Sequence, residues 1–332
     1  MDFDKLFKQF STCKVGVVGD VMLDTYWWGH VERISPEAPV PVVLLDKREL
    51  RIGGAGNVAL NLVSLGASTS IFSVIGEDDA GRLLDNLMQE QGIDTSYIIC
   101  SSTRKTTDKM RIISRNQQMM RLDAETTEDL AAAAEEALIG RVTDYIVKEQ
   151  PAVIIFEDYN KGVLTQKAIH EIIRVCKENN VVTAVDPKRK NFFAYKGVTI
   201  FKPNLKEVKD GLNLLVDDLD SSLLKKIHAL LQQELQHTIS FITLSEKGVF
   251  YQEGERAAII PSHFRRIADV SGAGDTVIAV AALLYASTAD TALMAAVANI
   301  AGGLVCEEVG TAAINKERLL HECKLLLGNK TL

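Results

Sequence analysis

Two glycines and an aspartate precede a long apolar run in the segment DVSGAGDT, residues 269–276. Gly272 and Gly274 have no Cβ, so the backbone can turn tightly there and come close to a ligand. The alanine-rich residues that follow have a helical composition, so the amides of Gly272, Ala273 and Gly274 are expected at a helix N-terminus, which attracts anions. A phosphate site alone does not require Asp275, but this carboxylate could take the proton of a hydroxyl that attacks the phosphate. The segment therefore predicts an anion hole with a general base beside it.

A second glycine cluster, GGAGN, occupies residues 53–57. Gly54 and the residues after it also satisfy GxGxxA, a dinucleotide fingerprint, but they follow DKRELRI rather than a hydrophobic strand. We favour a turn that brings Gly53, Gly54 and the Asn57 amide against a polyol. A plain turn into a helix explains the cluster equally well when it is taken alone.

Two more polar groups follow predicted strands. Asp24, in GDVMLD, could accept hydrogen bonds from sugar hydroxyls, or it could be a solvated turn residue. Asn204 and Glu207, in KPNLKE, lie three residues apart at the start of a predicted helix. Their oxygen atoms would suit Mg²⁺ held through water beside nucleotide phosphates. An N-cap asparagine with a first-turn glutamate is the commoner arrangement, and the local pattern favours it.

The net charge of −7, with no basic stripe, argues against nucleic acid as a partner. An anionic substrate would therefore need a local basic cluster. Candidates lie in DYNKG with Lys161, in DPKRK at 186–190, and in 103–115, which includes Lys109 and Arg111. Solvated faces explain such runs more often than binding sites do.

The five cysteines are scattered, which fits neither a disulfide framework nor a zinc site and predicts a reducing cytoplasm. The N-terminus does not read as a signal peptide, and no stretch reaches the ~18–20 apolar residues of a membrane span. We expect a cytoplasmic protein that does not contact a membrane.

Short apolar runs alternate with longer amphipathic ones, which predicts an α/β fold with a mainly parallel sheet and helices on both faces. The predicted strands cover residues 14–20, 68–76, 152–158, 181–186, 198–204 and 238–245. The predicted helices cover residues 57–65, 79–91, 127–148, 165–179, 218–235, 272–285, 290–307 and 315–327.

Two strand-like stretches, about 38–53 and 106–123, lack helical crossovers and predict a small antiparallel lid. Because short strands with open edges need a partner, the lid is a plausible homodimer contact. No linker or repeat divides the chain, so we expect a single domain over 12–328.

Taken together, GGAGN with Ala59, Gly66 and Gly76, then NLKE, then DVSGAGD resemble the signatures of the ribokinase-like (PfkB) carbohydrate kinases. The resemblance implies a ribokinase-like three-layer sandwich, a phosphotransferase with an alcohol acceptor, and ATP with Mg²⁺. Val280 departs from the second signature at a helix-packing position.

A closer resemblance covers nearly the whole chain. GDVMLDTYWWGHVERISPEAPVPVV, SRNQQMMRLD, DYNKGVL, VDPKRKNF and DVSGAGDTVI are similar to the D-glycero-β-D-manno-heptose 7-phosphate kinases. This closer resemblance implies that the chain forms the heptose 1,7-bisphosphate on the route to ADP-heptose for lipopolysaccharide. Many such proteins carry a C-terminal adenylyltransferase domain with an HxGH motif. None occurs here, so we expect the kinase alone, with a separate adenylyltransferase. The departures are Glu157, Asn160, Glu307 and Glu308.

By position, the resemblance implies that Asp275 is the general base for the anomeric hydroxyl and that the amides of residues 272–274 form the anion hole. Asn204 and Glu207 would organise Mg²⁺ and ATP. The residues implied to contact the nucleotide are Asn204, Leu205, Lys206, Glu207, Thr243, Ser245, Gly248 and, beside adenine, Asn299.

The resemblance also implies an acceptor site. The residues implied to contact the sugar phosphate are Asp24, Gly53, Gly54, Asn57, Lys109, Arg111 and Lys161. Asp269 and the Ser271 carbonyl match a monovalent-cation site found in part of the superfamily, so K⁺ is a candidate cofactor.

Three other functions compete with this interpretation. A kinase of another sugar or sugar phosphate fits the general signatures but not RISPEAPVPVV. A non-catalytic sugar- or nucleotide-binding protein on the same fold does not require an intact Asp275. An NAD-dependent oxidoreductase has only the GxGxxA match to support it.

Overall fold

A computed structural model describes residues 2–115, 117–214, 220–263 and 265–328. The strands are β1 (Lys14–Gly19), β2 (Val21–Ile34), β3 (Pro41–Gly54), β4 (Ser68–Phe72), β5 (Val74–Gly76), β6 (Ile99–Ser101), β7 (Thr107–Ser114), β8 (Gln117–Ala124), β9 (Val153–Glu157), β10 (Val182–Asp186), β11 (Ile200–Phe201), β12 (Ile239–Thr243), β13 (Val249–Glu253) and β14 (Arg256–Ile260). The α-helices are α1 (Phe3–Gln9), α2 (Ala55–Leu65), α3 (Asp79–Glu90), α4 (Ala132–Glu149), α5 (Gln166–Glu178), α6 (Leu205–Leu212), α7 (Ser221–Leu235), α8 (Ala273–Thr288), α9 (Thr291–Val305) and α10 (Lys316–Leu327).

The main sheet has eight strands in the order β14-β13-β12-β11-β10-β9-β1-β4. The pairs from β4 to β12 are parallel, and β13 and β14 add an antiparallel hairpin. Helices α1, α2, α8, α9 and α10 bury one face, and α4 to α7 bury the other. Parallel sheets need both faces covered, so the predicted α/β class with flanking helices is confirmed.

A second sheet, which we call the small sheet, has the order β3-β2-β7-β8. Strands β3, β7 and β8 correspond to the predicted lid segments, and the two outer pairs are antiparallel as expected. The central pair, β2 with β7, is parallel. Strand β2 was not predicted, because it is buried at its start, half-buried in its middle and exposed only at its end, so it has no period-two alternation.

Other element boundaries differ from the sequence prediction. The predicted strand 68–76 is two strands, and the second of them pairs with β6 in a separate two-stranded sheet. The predicted strand 198–204 contributes only Ile200–Phe201, and the helix predicted from 127 begins at Ala132. Residue 218, the predicted start of the next helix, lies outside the described residues, and α7 begins at Ser221. Helix α1 was not predicted, and α6, whose start the KPNLKE motif indicated, was given no predicted range.

None of the helices formed by the described residues combines the length and the apolar character needed to span a lipid bilayer.

Candidate active site

Helix α8 begins at Ala273, within the glycine segment of residues 272–274. Gly272 is its N-cap with φ 78°, a left-handed conformation that favours glycine. A Cβ on Gly272 would lie 2.7 Å from Asn57 Nδ2, so both the backbone conformation and the packing require glycine there. Of the three amides predicted to bind an anion, that of Ala273 donates to the Val270 carbonyl at 3.3 Å. Asp275 lies in the first turn, where the positive end of the helix dipole favours a carboxylate.

The Asp275 carboxylate is buried, with 4% of the residue exposed. Asn57 Nδ2 donates to Oδ2 at 2.7 Å, and the Tyr159 hydroxyl donates to Oδ1 at 2.8 Å. Burial raises the pKa of Asp275 to about 6, aided by Asp186 and opposed by the two hydrogen bonds and Lys202. A carboxylate with this pKa is ionised at neutral pH and is basic enough to accept a proton from a hydroxyl.

Beneath Asp275, a network of charged side chains covers the ends of β10 and β11. Lys202, only 2% exposed, lies 2.7 Å from Asp186. Lys188 lies 3.1 Å from Asp186 and 2.8 Å from Glu207. Burial alone would raise the pKa of Asp186, but the two ammonium groups outweigh burial and lower it below its ordinary value. The network therefore places the Lys202–Asp186 pair next to Gly274, whose Cβ position is 3.5 Å from Asp186 Oδ2 and 3.9 Å from Lys202 Nζ.

Asn204 and Glu207 form the N-terminal cap of helix α6. Asn204 Oδ1 accepts from the Glu207 amide at 2.9 Å, and Glu207 Oε2 accepts from the Asn204 amide at 2.8 Å. This capping box is the structural alternative that the sequence pattern favoured. Glu207 Oε1 faces Lys188, so the cap also orients one carboxylate oxygen toward the charged network.

The predicted nucleotide residues lie beside this cap. The amide of Thr243 donates to the Pro203 carbonyl at 3.1 Å, which joins the end of β12 to the residue before Asn204. Gly248 has φ 93°, and a Cβ there would clash with the Ile260 carbonyl. Asn299 Nδ2 donates to the Pro261 carbonyl at 2.9 Å. Thr243, Gly248 and Asn299 therefore border one region.

The three remaining predicted nucleotide residues lie in the turn after β12 and in the first turn of α6. Ser245, in the turn after β12, has φ 55° and its carbonyl accepts from the Gly248 amide. The side chain of Leu205 packs against the hydrophobic cluster on the face of the main sheet that α4 to α7 cover, so only the backbone of Leu205 could face a ligand. The side chain of Lys206 is exposed.

The glycine cluster of residues 53–57 packs against Asp24. A Cβ on Gly53 would clash with Asp24 Oδ2, and one on Gly54, at φ 59°, would clash with the Asp20 carbonyl. Arg111 Nη1 donates to Asp24 Oδ1 at 2.6 Å. Gly53, Gly54, Asp24 and Arg111 therefore lie together, with the Asp24 carboxylate already paired to a cation.

Asn57 contacts Asp275 from helix α2. Its side chain is fully buried and its amide donates to Asp275, and the contact with a sugar hydroxyl stays a prediction. Asn61 Nδ2 in turn donates to the Asn57 carbonyl within α2, and Asn61 Oδ1 accepts from the Thr276 hydroxyl at 3.0 Å, which holds this turn of α2 against α8. The long-range contact with α8, which the local pattern does not contain, determines the direction of the Asn57 amide.

Of the two predicted lysines of the acceptor site, Lys109 lies beside the Tyr159 ring and Lys161 pairs with Glu125. Lys109, paired in register with Asp24 across β2 and β7, has its Nζ 5.5 Å from the Tyr159 ring centroid. Lys161 Nζ lies 2.7 Å from Glu125. Burial lowers the pKa of Lys109. The positive charges of Lys161 and Arg121 lower it further, whereas the negative charge of Asp24 raises it.

The segment before helix α8 contains the candidate monovalent-cation residues. Asp269 Oδ1 accepts from the Ser271 amide at 3.0 Å and from its hydroxyl at 2.8 Å, and Oδ2 accepts from the Gly310 amide at 2.9 Å. Arg51 from β3 reaches the same loop and donates to the Val309 carbonyl at 2.7 Å. The small sheet is thus joined to the loop beside the α8 N-terminus.

Sequence reasoning missed several residues of this site. Tyr159 follows a predicted strand, Asp186 ends one and Lys202 lies within the predicted strand 198–204, but their roles in the site became visible only in the fold. A lysine directly after a buried strand, as in IFKPN, is a usable signal, because a buried ammonium needs an anionic partner. Nothing in the local sequence predicts that the Tyr159 hydroxyl contacts Asp275, since 116 residues separate them.

The donor set fits a divalent ion bound together with a nucleotide. Among the described residues, no three His, Cys, Asp or Glu side chains are grouped to hold a metal ion by themselves. Mg²⁺ usually takes one or two carboxylates and completes its shell with water and phosphate oxygens. The single oriented carboxylate of Glu207 and the neighbouring helix N-terminus match that pattern.

Residues 13–318 match the pfkB family of carbohydrate kinases, and the chain belongs to this family. It is therefore a carbohydrate kinase, a phosphotransferase whose acceptor is an alcohol group. Kinases of this family use ATP and a divalent metal ion.

Among individual relatives, the chain is 40% identical over 311 residues to the bifunctional protein HldE of Desulfatibacillum aliphaticivorans, covering 93% of this chain and 63% of that protein. It is 41% identical over 312 residues to the bifunctional protein HldE of Methylobacillus flagellatus, covering 92% and 62%. The chain thus spans slightly under two thirds of the length of these curated relatives.

Solved structures show the same fold. Phosphofructokinase-2 from Escherichia coli in complex with potassium matches with a TM-score of 0.78 at 16% identity, covering 96% of this chain and 100% of that one. Arabidopsis thaliana ribokinase complexed with ribose and ATP matches with a TM-score of 0.72 at 16% identity, covering 93% and 98%. The ribokinase-like fold with a small second sheet is confirmed.

One carboxyl group of the site generates a prediction about stability. Glu157 at the end of β9 is fully buried, and neither carboxylate oxygen has a hydrogen-bond partner among the residues that the structure describes. Burial raises the pKa of Glu157 well above its ordinary value, and Asp186 and Asp275 raise it further, while Lys188 and Lys202 oppose them. The native state therefore holds a proton that the unfolded chain releases.

Because the pKa of Glu157 is raised in the native state, burying this group costs no ionisation energy below the ordinary glutamate pKa. As pH rises above that value, the free energy of unfolding falls. We expect Glu157→Gln, which is neutral at every pH, to have a melting temperature close to that of the wild type near pH 4. As pH rises toward 8, the free energy of unfolding of Glu157→Gln should exceed that of the wild type by an amount that grows by up to about 1.4 kcal/mol per pH unit. Calorimetry across this range, with the exposed Glu90→Gln as control, measures the trend. A difference that does not vary with pH would contradict the prediction.

Proposed function

We propose that the chain transfers the γ-phosphoryl group of Mg-ATP to the anomeric hydroxyl of D-glycero-β-D-manno-heptose 7-phosphate, giving the 1,7-bisphosphate and ADP. The observation that carries the proposal is the buried Asp275 carboxylate in the first turn of α8, beside Gly274 and the ammonium group of Lys202. The substrate is inferred from the similarity to the bifunctional HldE proteins. The reaction would belong to ADP-heptose and lipopolysaccharide synthesis.

In the proposed reaction, Asp275 accepts the proton of the anomeric hydroxyl as its oxygen forms a bond to the γ-phosphorus. The bond from that phosphorus to the β,γ-bridging oxygen breaks, and ADP leaves with the bonding electrons. Phosphoryl transfer needs mainly positioning and charge stabilisation from the protein. The amides of Gly272 and Gly274, the α8 dipole and Lys202 would stabilise charge on the phosphoryl oxygens.

The bound Mg-ATP supplies the phosphoryl group and, through its divalent ion, neutralises part of the charge on the phosphates. Glu207 and Asn204 would hold the ion through water. Thr243, Ser245, Gly248 and Asn299 border the region that we assign to the nucleotide. We also propose a K⁺ site at Asp269 and the Ser271 carbonyl, supported by the potassium complex of the similar phosphofructokinase-2.

The acceptor would bind between β2, β3 and β7. Asp24 and the backbone of Gly53 and Gly54 would contact its hydroxyls. Lys109, Arg111 and Lys161 would contact its phosphate, because these residues bring positive charge to the same side of the small sheet. The Arg111–Asp24 pair would fix the direction of both groups. The adenylyl transfer needed further along the route to ADP-heptose is proposed to belong to a different catalytic unit.

The acceptor proposal predicts selective turnover. ADP release with Mg-ATP should be fastest with D-glycero-D-manno-heptose 7-phosphate, with kcat/KM at least about 100-fold above that for fructose 6-phosphate or ribose, because unmatched polar contacts are costly in a buried site. Preferred turnover of fructose 6-phosphate or ribose would keep the kinase mechanism and overturn the substrate. ATP binding without turnover of any acceptor would favour a non-catalytic binding protein.

The homodimer proposal depends on apolar side chains exposed on or beside the small sheet. The exposed residues are Ile34, Val40, Leu44, Leu45, Met119, Met120 and Leu122. A sheet with open edges and such a surface favours a partner of the same kind. We propose that two copies pair through the small sheet.

Sedimentation velocity should give a particle of two 36.4 kDa chains. Leu45→Glu and Met120→Glu, each placing a charge in the proposed contact, should weaken dimerisation by roughly tenfold or more, the effect of about 1.4 kcal/mol. Leu325→Glu on α10, equally exposed but distant in the fold, is the matched control and should remain dimeric. Dimers of unchanged affinity in all three variants would rule out this interface.

A further inference from the structure

The proposed base has a neighbour that the reaction scheme does not yet use. Tyr159 lies in the loop after β9, and its hydroxyl donates to Asp275 Oδ1 at 2.8 Å while Asn57 occupies Oδ2. We propose that Tyr159 is a positioning residue for phosphoryl transfer, which fixes the Asp275 carboxylate and stabilises its ionised form. The inference rests on the proposed role of Asp275 as the base.

The loop holds Tyr159 by its backbone. Its amide donates to Asp20 Oδ2 at 2.8 Å, and the same carboxylate accepts from the amides of Lys161 and Val163 at 3.1 Å each. Asp20 is buried at the junction of β1 and β2. One carboxylate therefore organises five residues of chain, so the position of the Tyr159 hydroxyl is set by the strands rather than by a free side chain.

The ring of Tyr159 is held from two sides. The Nζ atoms of Lys109 and Lys188 each lie 5.5 Å from its centroid, a distance at which ammonium groups are attracted to an aromatic face. Lys109 comes from the proposed acceptor side, and Lys188 pairs with Glu207 on the proposed nucleotide side. Tyr159 thus joins both halves of the site to the base.

The hydroxyl can act only as a donor to Asp275. Burial raises the pKa of Tyr159 well above its ordinary value, and the nearby carboxylates of Asp275, Glu157 and Asp186 raise it further. Tyr159 therefore keeps its proton throughout the working range. A carboxylate has four lone-pair sites, so the acceptor hydroxyl can still approach Asp275 while both existing hydrogen bonds remain.

A donor to a carboxylate favours its charged form. The other groups facing Asp275 are Asn57 from α2, which also donates, Asp186 and Glu157 from the strand ends, and Lys202 after β11. Asp186 disfavours ionisation of Asp275 and Lys202 favours it. Loss of the Tyr159 hydroxyl would leave Asn57 as the one hydrogen-bond donor that the described residues provide to Asp275, and ionisation would need a higher pH.

The test is the pH dependence of kcat/KM for Tyr159→Phe, between pH 5 and 9, with Mg-ATP and the acceptor that supports turnover. The acid limb should move upward by roughly one pH unit, since a hydrogen bond to a charged group contributes about 1.5 kcal/mol or more. Turnover should therefore fall most near pH 6 and recover above pH 8, with little change in the KM for ATP.

Tyr195→Phe is the matched control. Its hydroxyl donates to the buried Asp158 at 2.7 Å, one residue from Tyr159, but does not contact Asp275. It should leave the acid limb in place even if it lowers stability. As a second variant, 3-fluorotyrosine at position 159 keeps a more acidic hydroxyl and should hold the limb at or below its wild-type position.

An acid limb unchanged in Tyr159→Phe, or a loss of kcat that is equal at every pH, would overturn the inference. An acid limb of kcat/KM that moves to higher pH than in the wild type when position 159 holds 3-fluorotyrosine would overturn the inference as well. Failure of the underlying function is distinguishable, because Asp275→Asn would then retain turnover with the wild-type pH profile. A limb that Asp275→Asn abolishes and Tyr159→Phe does not move would leave the base intact and remove only the role of Tyr159.

Discussion

The burial of the Asp275 carboxylate at the start of helix α8 is the constraint on which the rest of the site depends. A charge there loses its hydration and must be compensated by the protein. The compensation comes from the helix dipole, from Asn57 of α2, and from Tyr159 of the loop after β9. Each donor lies on a different element, so the base is oriented only when the whole α/β layer has assembled.

The charges beneath the base extend this constraint to the sheet. Lys202 and Lys188 neutralise Asp186, and Lys188 also contacts Glu207 of the α6 cap. Glu157 adds a further carboxyl group whose two oxygens are buried. Burying these cations with paired anions costs stability, but it fixes positive charge beside Gly274, where the proposed phosphoryl group would pass. The loss of stability therefore arises at the proposed phosphoryl-transfer site.

Much of this arrangement could be predicted from the sequence, for identifiable reasons. The alternation of short apolar and longer amphipathic runs predicted the layered α/β fold, and the glycines of residues 53–54 and 272–274 predicted close backbone approach. The structure gives both clusters a steric cause, in Asp24 and in Asn57. The capping box at Asn204 was also foreseen as the structural interpretation of its motif.

What the sequence could not predict depends on contacts between distant residues. The direction of the Asn57 amide is set by Asp275, 218 residues later. Strand β2 has no alternation of its own and is defined by its pairing with β3 and β7. Tyr159 follows an ordinary buried strand, and nothing local marks its hydroxyl as a partner of the base. Long-range packing, rather than local propensity, assembles the chemistry of the site.

The most direct test of the account is the turnover of Asp275→Asn, which keeps the side-chain shape and removes the basic oxygen. Mg-ATP binding, followed by calorimetric titration, should be retained, while kcat with the preferred acceptor should fall by roughly 10²- to 10⁴-fold, the usual contribution of a general base. A variant that binds Mg-ATP and keeps turnover within about tenfold of the wild type would contradict the assignment of Asp275 as the base.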